Sequence, residues 1–369
     1  MPTYNGVNSL TNITLPGTWD TSELTRLRLR DGTTYEAILN DINSAVQIVN
    51  SGLNSNYYGG MVALTTDLGV EYRSGVSTGF EDATEYTQPD AQRAESYGHM
   101  LPLRRSDRKM GWTTRWLEEA RRINIDDDIA AMLSDVTNLY EQRVLTRFFK
   151  STAETGRAYG LGSNGVSLPF ADGSQTYVWT PPPRPDRGGT FANTHSHYLR
   201  LDGITQANVE TAVKHIWEHG IDGPYDLIVS LADVDAWTNA TNVTGYVQRP
   251  DALVTYGANT TLSTVDATYL GVVTTKYGTC RLVYNGRIPT KYWGVYKTFG
   301  SNDPRNPLRI RYDEPFGFGA RLVVERVDLY PLAGAIARFD FGVGIGADRV
   351  SAVLVRNHGS GSYSDPVIA

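Results

Sequence analysis

The longest uninterrupted helical pattern in the chain spans Asn124 to Lys150 and reads NIDDDIAAMLSDVTNLYEQRVLTRFFK. Asn124 is a good N-cap residue, and the aspartates at 126–128 fall in the first turn, where the helix dipole favours negative charge. Basic residues occupy the last turns, where the dipole favours positive charge. Between them, apolar residues recur every three or four positions: Ile125, Ile129, Met132, Leu133, Val136, Leu139, Tyr140, Val144 and Phe148. The pattern predicts one helix of about 40 Å, which is longer than the mean globular helix.

The composition narrows the class of protein. The chain has 369 residues, of which 40% are hydrophobic, enough for two compact domains. A net charge of −6 and a pI near 5.6 give no overall basic signature for nucleic-acid binding. The single Cys280 excludes an intrachain disulfide and favours a reducing compartment. The first 14 residues lack the pattern of a signal peptide, and no stretch approaches the ~20 apolar residues of a membrane span, so we expect no membrane contact.

Before the long helix, the chain contains segments with too few apolar residues to form a hydrophobic core of their own. Residues 1–32 have too little apolar surface to fold alone and are predicted to form an arm lying on something else. Thr33 and Glu36 match a capping box and predict a helix that ends near Gly52. In the stretch 66–110, apolar and polar residues alternate at 70–73 as in a strand, and a returning segment is predicted near 100–103. The residues between these segments include too few apolar side chains to build a core.

The charges of this stretch are sorted along the sequence. From Ser74 to Leu103 the charged residues are Arg93 and the acids Glu81, Asp82, Glu85, Asp90 and Glu95. Immediately afterwards come Arg104, Arg105, Arg108 and Lys109, opposed by Asp107 alone. Two interpretations remain open. The stretch is either a solvated hairpin with uneven charge, or an arm that lies across a neighbouring copy of the chain so that its acidic residues contact basic residues of that copy.

After the long helix, residues 151–190 form a Gly- and Pro-rich connector that predicts a domain boundary. An α/β pattern follows, with a helix over 208–219 closed by Gly220, a buried strand over 226–230, and a short helix from Ser230 to Trp237. Residues 239–264 are polar and predict an exposed loop. Strands are predicted at 269–274, 279–284, 291–299, 308–312, 321–328, 336–341 and 351–356.

Four of the six histidines are clustered along the sequence and are the first candidates for chemistry. His195 and His197 form a His-x-His pair, and His215 and His219 are one helical turn apart, both known spacings for metal ligands. The Glu of a His-Glu-x-x-His motif is missing after His215, and an imidazole at His219 simply complements the helix dipole. A structural role is therefore favoured over a metal site, and we expect no metal.

The other candidate motifs fail their structural requirements. The glycines of 341–346 resemble a phosphate loop, but the segment after them is predicted to be a strand instead of the helix that such a loop opens. Cys280 has no neighbouring base, and the pair Asp222 and Asp226 is indistinguishable from turn residues. The arginine pairs 104–105 and 121–122 favour pairing between subunits over phosphate contacts. We therefore expect no catalytic residue, no cofactor-binding residue and no cofactor, and we expect that the protein is not an enzyme.

The order of these segments resembles the major capsid proteins of tailed double-stranded DNA phages, with the α+β Hong Kong 97-type fold. The stretches 285–296 and 330–336 resemble the strands that leave the axial domain and the last strands of the peripheral domain. The resemblance implies an N-terminal arm at 1–32, a peripheral-domain helix region at 33–65 and an extended loop, the E-loop, at 66–110. It further implies the long helix and connector at 111–203, the axial domain at 204–300, and peripheral-domain strands with the C-terminus at 301–369.

The resemblance also implies a function. We expect a structural protein that assembles with itself into pentamers and hexamers of an icosahedral shell around double-stranded DNA. The shell belongs to the virion and assembles in the host cytoplasm, with non-specific DNA contact and with scaffold, portal and decoration proteins as further partners. Some members crosslink an E-loop lysine to a neighbour's asparagine, but residues 1–108 contain no lysine, so we expect no covalent crosslinks.

One departure from the family pattern and two alternative functions remain open. The chain starts directly at its arm, so a scaffold is expected either as a separate protein or as a segment already removed. The nearest alternative function is the shell of an encapsulin-type protein compartment, which has the same fold and a protein cargo. The remote alternative is a metal-dependent enzyme that uses the four histidines.

Overall fold

A computed structural model describes residues 29–53, 58–74, 95–113, 116, 119–157, 164–171, 191, 194–248, 269–324, 332–358 and 361–368. Most of the predicted N-terminal arm, the acidic middle of the E-loop at 75–94 and most of the Pro-rich connector lie outside these residues. No helix in the described ranges is long and apolar enough to cross a membrane.

The described residues form five α-helices and seventeen strands. The helices are α1 (Tyr35–Gly52), α2 (Tyr58–Met61), α3 (Arg122–Phe149), α4 (Gln206–Trp217) and α5 (Val234–Trp237). The first nine strands are β1 (Val62–Thr65), β2 (Gly69–Ser74), β3 (Glu95–Met100), β4 (Asp107–Thr113), β5 (Glu154–Arg157), β6 (Asn164–Ser167), β7 (Tyr198–Arg200), β8 (Tyr225–Ser230) and β9 (Tyr246–Gln248). The others are β10 (Tyr269–Thr275), β11 (Gly278–Asn285), β12 (Tyr292–Lys297), β13 (Leu308–Tyr312), β14 (Arg321–Val324), β15 (Leu332–Arg338), β16 (Phe341–Ile345) and β17 (Ala352–Arg356).

The chain divides into two compact units. The first contains the described residues up to Leu53 together with Arg105–Leu139 and Gly319–Asp340. The second contains the described parts of Asn54–Arg104, Tyr140–Phe318 and Phe341–Ala369. The division falls inside α3, after Leu139.

The predicted long helix is present as α3, with 28 residues and a length of about 42 Å. Seven of the nine residues of its predicted apolar stripe are buried, namely Ile125, Ile129, Met132, Val136, Tyr140, Val144 and Phe148, while Leu133 and Leu139 are half-buried. The predicted N-cap at Asn124 is wrong, because α3 begins at Arg122. The Arg122 N–H donates to Oδ2 of Asp31 at 2.9 Å, and the Asn124 side chain accepts from the N–H of Arg121 at 3.3 Å. A carboxylate far away in sequence therefore serves the first turn.

The first unit contains α1 and a three-stranded sheet of order β14-β15-β4. The predicted cap of α1 at Thr33 is wrong by one residue, since the Thr34 side chain accepts from the N–H of Ala37. The helix ends at Gly52, as predicted. Near that end, the Asn50 amide exchanges two hydrogen bonds of 2.8 Å with the backbone of Ala320, just before β14, and so fixes the helix to the sheet.

The second unit is built on a seven-stranded sheet of order β7-β17-β12-β8-β11-β10-β9. Its strand β8 is central and buried at every position, as the apolar run predicted. The apolar face of α4, formed by Val209, Ala212, Val213 and Ile216, belongs to the same core as the sheet. Strands β7 and β17 come from outside 204–300, the range expected for the axial domain, and the domain boundaries themselves stay a prediction.

Two details of this unit differ from expectation. The helix predicted at 208–219 begins at Gln206 and ends at Trp217, because the Thr205 side chain caps it by accepting from the N–H of Asn208. The loop expected at 239–264 contains the strand β9, which pairs with β10 at the edge of the sheet. A strand this short at an edge has no buried face, and its alternation is too weak to stand out in the sequence.

Smaller sheets complete the second unit. Strands β1, β13 and β16 form one of them, and β2 and β3 form a two-stranded hairpin with Val70 opposite His99. Gly342 and Gly344 of β16 allow close packing, because a Cβ would collide with the Pro102 carbonyl at the first position and the Leu101 side chain at the second. The glycines at 342 and 344 therefore permit an approach of the chain that a side chain would block.

Candidate functional site

Three of the four candidate histidines converge on one point in the second unit. His195 and His197 immediately precede β7, and His219 follows the end of α4. Their Nε2 atoms form a small triangle, with His195–His219 and His197–His219 distances of 3.0 Å and a His195–His197 distance of 3.3 Å. We call these three residues the histidine triangle.

His197 is the most firmly fixed member. It is completely buried, its N–H donates to the carbonyl of Ala171, and its carbonyl accepts from Leu354 of β17 at 2.8 Å. Its Nδ1 lies 2.8 Å from the carbonyl oxygen of Ala352. Because a carbonyl oxygen only accepts, Nδ1 carries the hydrogen, and the neutral ring turns the lone pair of Nε2 toward the triangle.

The other two members are half-buried and share an aromatic cover. Phe191 stacks on His195 with ring centroids 4.0 Å apart and lies against His219 at 4.5 Å. Burial and the neighbouring His219 and His215 lower the pKa of His195 to about 3, and burial lowers the pKa of His197 well below its usual value. These two imidazoles are therefore neutral at pH 7 and offer lone pairs.

The fourth candidate, His215, lies beside the triangle without joining it. Its ring centroid is 5.3 Å from that of His195 and 6.2 Å from that of His197. Its Nδ1 is 4.0 Å from a carboxylate oxygen of Glu218 and has no hydrogen-bond partner among the described residues. The helical pair seen in the sequence is thus split, because α4 ends at Trp217 and His219 leaves its axis.

The remaining candidates have structural partners. Asp226 is buried in β8 and binds Arg281 of β11, while Asp222 is exposed. Burial and the nearby Asp226 raise the pKa of Cys280 to about 12, which keeps its thiol protonated and unreactive at neutral pH. A short 3₁₀ turn follows β16, so the glycines of 341–346 do not open a helix that binds phosphate.

Part of the expected pairing between subunits occurs within the chain. Arg104 pairs with Glu154 at 3.3 Å, Arg108 pairs with Asp135 of α3, and Arg122 pairs with Asp41 and Asp126. For Arg104 and Arg122, the expectation that a neighbouring subunit supplies the carboxylate is therefore corrected. The acids Glu81, Asp82 and Glu85 lie outside the described residues.

The sequence matches no protein-family model and no curated protein. A solved structure from Mycobacterium phage Patience is similar, with a TM-score of 0.63 and 22% identity over 96% of this chain and 97% of that one. The chain has the Hong Kong 97-type fold. The α+β class and this fold, expected from the order of the segments, are confirmed.

Two further structures are similar to a lesser degree. The Cyanophage Pam1 capsid asymmetric unit has a TM-score of 0.49 and 11% identity, covering 84% of this chain and 90% of that one. The capsid structure of the Cyanophage P-SCSP1u has a TM-score of 0.47 and 8% identity, covering 82% of this chain and 87% of that one.

Proposed function

We propose that this protein is the major capsid protein of a tailed phage, a structural subunit of an icosahedral shell around double-stranded DNA. The observation that carries the proposal is the Hong Kong 97-type fold, shared over 96% of the chain with a structure from a phage. In the proposed shell the subunits form pentamers and hexamers in the virion, after assembly in the host cytoplasm. The proposal assigns no catalytic residue and no enzymatic activity.

Two surface features support a subunit that is stabilised by contacts with other subunits. Strands β2 and β3 pair with each other, and no third strand joins them in the described ranges. A two-stranded sheet has open edges at which a strand of a neighbouring subunit can pair. Large apolar side chains are exposed in both units, at Ile48, Trp116, Ile123, Leu231, Val247, Phe316 and Val367, where a second subunit can bury them.

The proposal includes an E-loop contact. The acidic residues Glu81, Asp82 and Glu85 of one subunit are proposed to lie against arginines of the next, while scaffold, portal and decoration proteins and packaged DNA are further partners. Arg121 is exposed on the first unit and is proposed for the basic side of the contact, since Arg104, Arg108 and Arg122 already pair within the chain.

Electron microscopy of the expressed full chain tests the proposal. Closed shells built from pentamers and hexamers are expected, and they would exclude a soluble metal-dependent enzyme as the main function. Nuclease-protected double-stranded DNA in particles from infected cells is the result expected of a capsid. Particles that hold a defined protein cargo and no DNA would support the encapsulin-type compartment and contradict the proposal.

A further inference from the structure

The histidine triangle cannot be satisfied by hydrogen bonds alone. Its three Nε2 atoms contact one another at 3.0–3.3 Å, which is hydrogen-bond distance for every pair. An imidazole nitrogen that carries a hydrogen has no lone pair, so each hydrogen bond must join one protonated and one unprotonated nitrogen. Three mutually contacting atoms cannot alternate in this way. In every protonation state, at least one of the three contacts is therefore repulsive.

A single cation at the centre removes this conflict, because all three nitrogens then direct lone pairs at it. The spacing fits such an ion. A tetrahedral zinc ion with Zn–N bonds of about 2.0–2.1 Å holds its ligand nitrogens about 3.3 Å apart. The three observed distances of 3.0, 3.0 and 3.3 Å lie within 0.3 Å of that separation.

The surroundings of the triangle are also those of a metal centre. The hydrogen bond from Nδ1 of His197 to the Ala352 carbonyl fixes the tautomer and the orientation of the ring, the usual role of an outer-shell partner. Phe191 packs against the rings of His195 and His219 and limits their movement.

We infer that His195, His197 and His219 bind one divalent transition-metal ion of the zinc class. Imidazole nitrogen suits this class of ion, whereas the absence of a carboxylate from the triangle disfavours calcium and magnesium, which take oxygen ligands. The fourth position is filled by water. From the sequence we expect no metal here, and the geometry now supports the alternative.

The inferred role of the ion is structural. His195 and His197 belong to the segment that leads into β7, and His219 belongs to the turn after α4. An ion bound to all three would connect that segment to the turn after α4. Because it would bind the folded chain and not the unfolded one, it would also stabilise the folded subunit. The inferred metal site does not depend on shell formation, so an experiment that contradicts one of these two proposals leaves the other standing.

The test measures zinc in full-length protein purified without a polyhistidine tag. Elemental analysis should find one zinc per chain in the wild type. Protein stripped with a chelator should take up one equivalent again, with an increase in Tm. The variants His195→Gln and His219→Gln should bind zinc at least about 100-fold more weakly, beyond the about 10–100-fold typical for losing an outer-shell partner.

Two matched controls make the ligand assignment sharp. His215→Gln removes the neighbouring imidazole outside the triangle, and His358→Gln removes an exposed one. Both should retain one zinc per chain and the increase in Tm. Cobalt(II) added to the stripped wild type should give the intense visible absorption of a four-coordinate site, and His219→Gln should abolish it.

Three results would overturn the inference. The first is a stripped wild type that takes up no zinc. The second is equal zinc affinity in the wild type and in the His195→Gln and His219→Gln variants. The third is loss of zinc in His215→Gln with retention in His219→Gln. Should a triangle variant fail to fold, zinc uptake and the cobalt spectrum of the wild type still decide the question.

Discussion

Asp226 and Arg281 form a two-pronged ion pair across the adjacent parallel strands β8 and β11. Nε and Nη2 of Arg281 donate to the two carboxylate oxygens, both at 2.9 Å. The two ends of the pair are unequally exposed, since the Asp226 side chain is 3% exposed and that of Arg281 is 42% exposed. The pair therefore has a buried carboxylate and a guanidinium that reaches water.

This inequality predicts an asymmetric response to mutation. Arg281→Ala should lower the free energy of unfolding by about 3 kcal/mol, because it leaves a buried carboxylate without its partner. Asp226→Ala should cost about 1–2 kcal/mol, because water can solvate the exposed guanidinium. Urea unfolding of unassembled subunits measures both values. An equal or reversed order would contradict this account of the pair.

Gly342→Ala should destabilise the second unit. The new Cβ would meet the backbone carbonyl of Pro102, which cannot rotate away, so β16 or the neighbouring loop must shift at a cost of about 1–3 kcal/mol. Gly52→Ala is the matched control, because open space surrounds that position, and it should be neutral or slightly stabilising. Thermal unfolding compares the two variants, and equal Tm values would refute the packing role of Gly342.

The stability of the subunit should fall as the pH decreases from about 6.5 toward 3, in part because of His99. This residue is buried, its Nε2 lies 2.7 Å from the carbonyl oxygen of Ile345, and burial lowers its pKa to about 3. The unfolded chain binds a proton below about pH 6.5 while the folded one does not, so protons favour unfolding. At pH 5 the effect amounts to about 2 kcal/mol.

Urea unfolding at pH 7.5 and pH 5 checks the contribution of His99. In His99→Gln, the loss of stability between the two pH values should be about 2 kcal/mol smaller than in the wild type. In His358→Gln, which alters an exposed histidine, the loss should match the wild type. An unchanged pH dependence in His99→Gln would rule out this assignment.

Reversing the charge of the E-loop tests the proposed docking. Replacing Glu81, Asp82 and Glu85 together by Lys should block shell formation while the subunit stays folded. A single exposed pair contributes only about 0–1 kcal/mol, but symmetry repeats each contact at every subunit, and like charges then face each other. Electron microscopy and circular dichroism at low salt read out assembly and folding. Normal shells from the triple variant would exclude the docking.

The proposed shell should contain no covalent bonds between chains. The first lysine of the sequence, Lys109, lies in β4 opposite Ile336 of β15, where sheet pairing fixes its backbone. An isopeptide bond needs a primary amine at the interface, and arginine cannot replace it because the guanidinium stays protonated. Boiled particles should run on a denaturing gel as one band near 40.7 kDa. A ladder of larger species that survives reductant would show that chains are crosslinked.

Periodicity in the sequence was sufficient to predict the elements whose signal is local. The stripe of α3 and the apolar run of β8 are long and uninterrupted, so burial of one face or of both faces follows from them. The start of α3 was missed by two residues, because the first turn is served by Asp31, which is 91 positions before Arg122. A cap supplied by tertiary structure leaves no local pattern.

Only part of the histidine triangle could be predicted from the sequence, because tertiary contacts leave no local pattern. The spacing of His195 and His197 indicated a ligand pair, but the helical pair of His215 and His219 indicated the wrong partner for it. Two facts decide the geometry: β17 fixes His197 through Ala352 and Leu354, and α4 ends before His219. Neither follows from residue spacing.

The position of β17 also determines when the seven-stranded sheet can be completed during translation. This strand lies between β7 and β12, and in the described sheet it is the one neighbour of β7. It is synthesised about 150 residues after β7, which at 5–20 residues per second means a delay of roughly 8–30 s. Throughout that interval the nascent chain has an incomplete sheet and an unpaired β7. In the proposed shell, neighbouring chains on one polysome therefore cannot assemble until each has extended well past β12, which favours release of the chain from the ribosome before assembly.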